Sequence, residues 1–153
     1  MRLCTLVVTT QPAIVDTSTI VVNTNASAIA DRQNMTVKSR LLIVDDHEEF
    51  RDSARILLEG EGFEVIGAAS TGEDAVGQTI RLAPDLVLLD IHLPGMDGFA
   101  TADQLAALAN PPAVVLISSR ERGSFGARIG HAPVRGFLAK HELSGESLTS
   151  LLA

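Results

Sequence analysis

The sequence predicts an α/β fold: a five-stranded parallel sheet, doubly wound, with helices on both faces. Three observations carry that prediction. Short, wholly apolar runs recur along the chain, of the kind buried on both faces of a parallel sheet. Each is followed by a stretch long enough for a crossover helix, with apolar residues at helical spacing. Such strand–helix alternation builds right-handed βαβ units and one covered sheet.

The first run, Leu41-Leu42-Ile43-Val44, stops at Asp45-Asp46. Phe50, Ala54, Leu57 and Leu58 then form a helical stripe, with Gly60 and Gly62 as its stop. Residues 64 to 69 read as the second strand. Ser70-Thr71-Gly72-Glu73 has capping-box spacing, and Ala75, Val76, Thr79, Ile80 and Ala83 give the next helix its inward face up to Pro84. Leu86-Val87-Leu88-Leu89 is the third strand and ends at Asp90. A loop from His92 to Gly98 leads into a helix with Ala102, Leu105, Ala106 and Ala109 inward, broken by Asn110-Pro111-Pro112. Residues 113 to 117 form the fourth strand and 136 to 139 the fifth. Ser144 caps a last short helix that runs to Leu152.

Composition divides the chain. Residues 1–34 hold four charged side chains that cancel, three of the four Asn, and none of the 12 Gly or 5 Phe. They show no helical stripe, so residues 1–38 read as a disordered leader and 39–153 as the folded domain. Met35-Thr36-Val37-Lys38-Ser39-Arg40 runs straight into a buried-type strand, which makes Met35 a second candidate start. Ala26-Ser27-Ala28 has the look of an export cleavage box, but the apolar part before it is too short, so a cytoplasmic location is expected. The net charge of −7 rests on residues 35–153, with 17 acids against 10 bases. That balance disfavours DNA and anionic membranes as direct partners. An aromatic fraction of 3% disfavours a stacking platform for single-stranded nucleic acid. No apolar run approaches the roughly 18 residues of a membrane helix. The single cysteine, Cys4, excludes an intramolecular disulfide.

Open α/β sheets place their sites beyond the carboxyl ends of the strands. There the sequence puts Asp45 and Asp46 after strand one, Asp90 after strand three, Ser118 after strand four and Lys140 after strand five. Converging carboxylates repel, and a hard cation such as Mg²⁺ removes the penalty. A carboxylate is also a nucleophile toward phosphorus, giving an aspartyl-phosphate. Lys140 adds a point charge and the Ser118 hydroxyl a donor for phosphoryl oxygens. The chemistry expected is in-line phosphoryl transfer to Asp90. Each residue alone has a plainer reading: Asp45-Asp46 as a cap pair, Asp90 as a turn residue, Lys140 as a solvated lysine, Phe137 as core. Four such positions in strand order rarely arise as caps.

Residues 39–152 resemble the receiver domain of two-component response regulators. The resemblance rests on residues 41–46 (Leu-Leu-Ile-Val-Asp-Asp), 84–98 (Pro-Asp-Leu-Val-Leu-Leu-Asp-Ile-His-Leu-Pro-Gly-Met-Asp-Gly), 114–119 (Val-Val-Leu-Ile-Ser-Ser) and 136–140 (Gly-Phe-Leu-Ala-Lys). It implies the flavodoxin-like sheet order 2-1-3-4-5 and a Mg²⁺ cofactor. It implies Asp90 as phosphoacceptor, Asp46 as direct metal ligand, Asp45 as ligand through water, and His92 as ligand through its backbone carbonyl. Ser118 and Phe137 take the places of the hydroxyl and aromatic switches, and Lys140 pairs with the phosphoryl group or with Asp90. His92 and Arg120 stand where the family tunes phosphate loss. The partners implied are a histidine kinase or phosphotransfer protein and an unidentified downstream protein, with a phosphorylation-dependent dimer left open. The chain is expected to be a signalling switch, catalysing only its own phosphorylation and slow dephosphorylation.

Two departures stand out. His141 replaces the family's frequent proline, as in receivers of the LuxR/NarL type, so the Lys140–His141 bond should be trans. Gly123, Gly126 and Gly130 fall in the expected fourth helix and predict that it is short, frayed or irregular. One alternative is a DNA-binding regulator lacking its output domain, since no helix-turn-helix follows Lys140. Others are a receiver-like module that is not phosphorylated, and a phosphatase of the haloacid-dehalogenase type, which would want a second aspartate where His92 stands.

Overall fold

The strands are buried because both faces of each meet side chains from covering helices. In the computed structural model, which describes residues 38–153, the elements are β1 (Arg40–Val44), α1 (Glu48–Gly60), β2 (Glu64–Ala69), α2 (Gly72–Leu82), β3 (Leu86–Asp90) and α3 (Gly98–Ala106). They continue with β4 (Ala113–Ser118), a 3₁₀ turn (Arg122–Phe125), α4 (Arg128–His131), β5 (Gly136–Ala139), a second 3₁₀ turn (Lys140–Glu142) and α5 (Gly145–Leu152). All four strand pairings are parallel, and the sheet order is β2-β1-β3-β4-β5, the flavodoxin-like order expected. The expected leader, apart from Lys38, and the candidate start at Met35 lie outside the described residues.

Alternate residues of each strand feed opposite faces. Leu42, Val44, Val87, Leu89, Val114 and Leu116 pack with Ala75, Phe99, Ala102 and Leu105 beneath α2 and α3. Leu41, Ile43, Leu86, Leu88, Val115 and Ile117 pack with Ala54, Leu58 and Leu148 beneath α1 and α5. β3 is buried at every position, as befits a central strand.

Several expectations need correction. Ala54 and Leu58 centre the α1 stripe, whereas Leu57 stands on its rim and is exposed. Ile80 lies about 100° around α2 from Thr79 and points out. Ala83 is not on the inward face: it adopts φ 50°, the left-handed conformation that ends α2. The N-cap of α2 is Thr71, whose Oγ1 accepts from the Asp74 N–H at 3.1 Å, and Ser70 lies one residue outside. Gly72 sets that register, because it packs where a Cβ would stand 2.2 Å from Thr101 Oγ1. α3 ends at Ala106, four residues before the Asn-Pro-Pro break. Ala106 stands on the outer face of α3 and Ala109 beyond its end, so both are exposed, and Leu108 takes the place on the core that they were expected to fill.

The expected irregularity of the fourth helix is present. Its place is taken by the 3₁₀ turn, Gly126 at φ 55°, and the single helical turn of α4. No peptide bond among the described residues is cis, Lys140–His141 included.

Candidate functional site

The carboxyl ends of β1, β3, β4 and β5 converge, and each delivers polar side chains to the same place. β1 hands over Asp45 and Asp46, β3 ends on Asp90, β4 ends on Ser118, and β5 is followed by Lys140. Asp45 and Ser118 are fully buried and Asp90 nearly so, unusual for carboxylates unless paired. Lys140 pairs them: its Nζ stands 2.5 Å from Asp45 Oδ2 and 3.3 Å from Asp90 Oδ2. The Lys140 ammonium also lies 4.5 Å from the centre of the Phe50 ring, so its stem is walled by α1.

Backbone groups fix the rest. The His92 N–H donates to Asp90 Oδ1 at 3.2 Å, the His47 N–H donates to Asp45 Oδ1 at 2.8 Å, and the Arg120 N–H donates to Ser118 Oγ at 3.0 Å. Arg51 Nη1 donates to the Asp45 carbonyl at 2.6 Å and anchors the loop to α1. Gly98 is indispensable to this packing: a Cβ there would stand 2.4 Å from the Asp90 carbonyl oxygen and 2.7 Å from Ile91 Cα.

The electrostatics follow from burial and crowding. Burial first, then the Asp45 charge, push the Asp90 carboxyl from its ordinary 3.8 up to about 6, while Lys140 and the His92 N–H pull against them. Burial opposes the Lys140 charge, but contact with Asp45 and the negative charges of Asp90 and Asp45 outweigh it and raise its pKa. Asp45 Oδ2 meets the Lys140 ammonium as an ion pair and no other donor among the described residues. Two buried carboxylates thus share one ammonium, and Asp90 resists ionising. This donor set fits a hard divalent cation, since added positive charge relieves both. One ligand atom from each of Asp45, Asp46, His47 and Asp90 lies within 4.8 Å of the others.

All the residues expected at the site are brought to this end of the sheet except Phe137. Phe137 is buried in the core beneath α2 and α3, one strand position before Leu138. The His92 side chain points to solvent and toward Phe125, not into the carboxylates, so only its backbone serves the site.

Two residues were not anticipated. His47 follows Asp45-Asp46 directly and turns its ring back onto both; the signal was its adjacency to the acid pair. Phe125 has ring centres of His92, Phe99 and Phe137 at 5.7, 6.1 and 5.8 Å. It links the site loop to Phe137. Among three glycines it looked like a residue of a failing helix, and nothing in its spacing announced a core role.

Residues 41–152 match the response regulator receiver domain family. The chain is 36% identical to BvgA of Bordetella pertussis over 104 residues, 68% of this chain and 50% of that protein. It is 38% identical to protein-glutamate methylesterase/protein-glutamine glutaminase 6 of Anaeromyxobacter dehalogenans over 107 residues, 69% of this chain and 30% of that protein. It therefore spans half or less of these two relatives' lengths. Among solved structures, the signal receiver domain of NarL from Mycobacterium tuberculosis superposes with a TM-score of 0.67 at 30% identity, covering 76% of this chain and 98% of that one.

Proposed function

This chain belongs to the response regulator receiver domain family of two-component systems, and from that premise we propose that it accepts a phosphoryl group on Asp90 and changes conformation in response. The observation that carries the reading is the pairing of buried Asp90 with Lys140 at 3.3 Å, beside the buried Asp45 and the Ser118 hydroxyl.

The donor is a phosphohistidine on a histidine kinase or phosphotransfer protein. An Asp90 carboxylate oxygen attacks phosphorus, the P–N bond breaks, and its electron pair returns to the leaving imidazole. The His92 N–H holds one Asp90 oxygen and orients the carboxylate. Lys140 stabilises negative charge next to the other oxygen. Asp45, Asp46 and Asp90, with the His92 carbonyl, would hold Mg²⁺, which when bound neutralises charge on the transferring phosphoryl oxygens.

Ser118 is the group able to report the new charge. Its hydroxyl now accepts from the Arg120 N–H and is free to donate toward a phosphoryl oxygen. A shift of Ser118 drags the loop that leads to Phe125, and Phe125 packs on Phe137. Phe137 is already buried, so the switch is a repacking of the Phe125–Phe137 pair, not a swing of Phe137 from solvent. The phosphoryl group biases two arrangements of this element. The chain acts only on its own carboxylate and loses the phosphoryl group slowly, as a switch more than a turnover enzyme.

Incubation with acetyl phosphate and Mg²⁺, read by intact mass, tests the reading. One added phosphoryl group on the wild type and none on Asp90→Ala supports it. No gain from any donor contradicts it, and steady turnover of a generic phosphomonoester supports the phosphatase alternative instead.

A further inference from the structure

His47 sits at the N-cap of α1, yet its side chain makes no capping bond to that helix. The ring turns back instead, and Nδ1 stands 3.1 Å from Asp45 Oδ1 and 3.0 Å from Asp46 Oδ1. One ring nitrogen therefore faces two carboxylate oxygens that already belong to the acidic pocket. The backbone of the same residue fixes the geometry, since its N–H donates to Asp45 Oδ1 at 2.8 Å. A second, separate observation points to a cation: the buried Asp45 and Asp90 carboxylates share a single ammonium, that of Lys140, which leaves an excess of negative charge in the pocket. The pocket is then not an all-oxygen set, because an imidazole nitrogen lies within 4.8 Å of a ligand atom from each of the three aspartates.

Ligand type decides which metals such a set rewards. Carboxylates, carbonyls and water suit Mg²⁺, which keeps much of its hydration shell. Imidazole suits the borderline metals, and affinity for nitrogen ligands rises through Mn²⁺, Co²⁺ and Ni²⁺. We propose that His47 is a metal-selectivity residue, adding a nitrogen donor that makes this pocket bind borderline divalent cations such as Ni²⁺ and Co²⁺ more tightly than its carboxylates alone would. The proposal rests on the reading of the acidic pocket as a cation site. His47 acts on which ion is held; Asp90 remains the phosphoryl acceptor whichever ion is present.

The test uses the full chain without an affinity tag, as wild type and as His47→Gln. The ring is largely exposed, at 69% of its free surface, and makes no capping bond, so the variant retains the fold. Calorimetry with Ni²⁺ and with Mg²⁺ should show Ni²⁺ affinity falling about tenfold or more in the variant, a loss of the size that altered metal surroundings produce. Mg²⁺ affinity should change far less. Pulsed electron paramagnetic resonance on the Mn²⁺-loaded wild type should show coupling to a ligand nitrogen, absent in His47→Gln. An equal fall for Ni²⁺ and Mg²⁺ overturns the proposal, because it marks a merely structural role. Nitrogen coupling that is missing from the wild type, or that persists in the variant, also overturns it while leaving the cation site standing. Failure of both ions to bind overturns it together with the reading beneath it.

Discussion

Asp90→Asn should make the metal-free protein more stable at alkaline pH and leave it unchanged in acid. The reasoning begins with the Asp90 carboxyl, which burial and Asp45 push from 3.8 to about 6. That rise is worth about 3 kcal/mol between the charged and neutral forms. The sign follows from the raised value. The folded state favours the protonated acid, so Asp90's contribution is at its best below the unfolded pKa and is lost as pH rises through about 6. Asparagine keeps the shape and an oxygen for the His92 N–H, now at 3.2 Å from Asp90 Oδ1, but carries no charge. Lys140 stands 2.5 Å from Asp45 in the wild type and should keep that partner in the variant. Urea unfolding in a chelator at about pH 8 should therefore find Asp90→Asn more stable by about 2–3 kcal/mol, a gap that closes by about pH 4. Saturating Mg²⁺ should narrow the gap at pH 8 by stabilising the wild type more than the variant. A difference that is constant with pH, or a variant less stable than wild type at pH 8, would refute the burial-and-repulsion argument.

The remaining predictions concern the supports of the site. Lys140→Met leaves two buried carboxylates without their cation and should cost ~3 kcal/mol at neutral pH in a chelator, measured by urea midpoint, with Mg²⁺ restoring part of the loss. Gly98→Ala forces a methyl group against the Asp90 carbonyl oxygen and Ile91 Cα, atoms of backbone that cannot yield. It should lower stability by about 1–3 kcal/mol in thermal unfolding, whereas Gly123→Ala, with nothing within 4 Å of its Cβ position, should not. Amides of residues 122–131 should exchange with deuterium far faster than those of α3, because a 3₁₀ turn and one helical turn replace a full helix; strong protection there would contradict the described segment.

The sheet was legible because its strands are unmixed apolar runs, and the site because its polar residues stop those runs. Asp90 ends a strand buried at all five positions, and no helix reading accommodates Leu86-Val87-Leu88-Leu89 between Pro84 and Gly95. The helices were legible in place but not in detail. Leu57 and Ile80 lie within about one residue's rotation of the buried stripe, and apolarity alone does not separate rim from centre. Ala106 and Ala109 misled because alanine is at home on either face. The three glycines did foretell the broken fourth helix, since each adds cost to a helix that nothing else supports. His47 was within reach, one residue past the acid pair, but the direction of its ring depends on the turn from β1 into α1. Phe125 was out of reach, because its three aromatic neighbours come from separate stretches of chain and meet only through the fold.

The central claim is that Asp90 is the nucleophile that takes the phosphoryl group. Acyl phosphates are reduced by borohydride to the alcohol, which turns a phosphorylated aspartate into homoserine, whereas phosphoserine is untouched. The full chain, phosphorylated with acetyl phosphate and Mg²⁺, reduced, digested and sequenced by mass spectrometry, should carry homoserine at position 90 and at no other aspartate. Homoserine at position 45 or 46, or a phosphoryl group retained on Ser118 with position 90 unchanged, would contradict it.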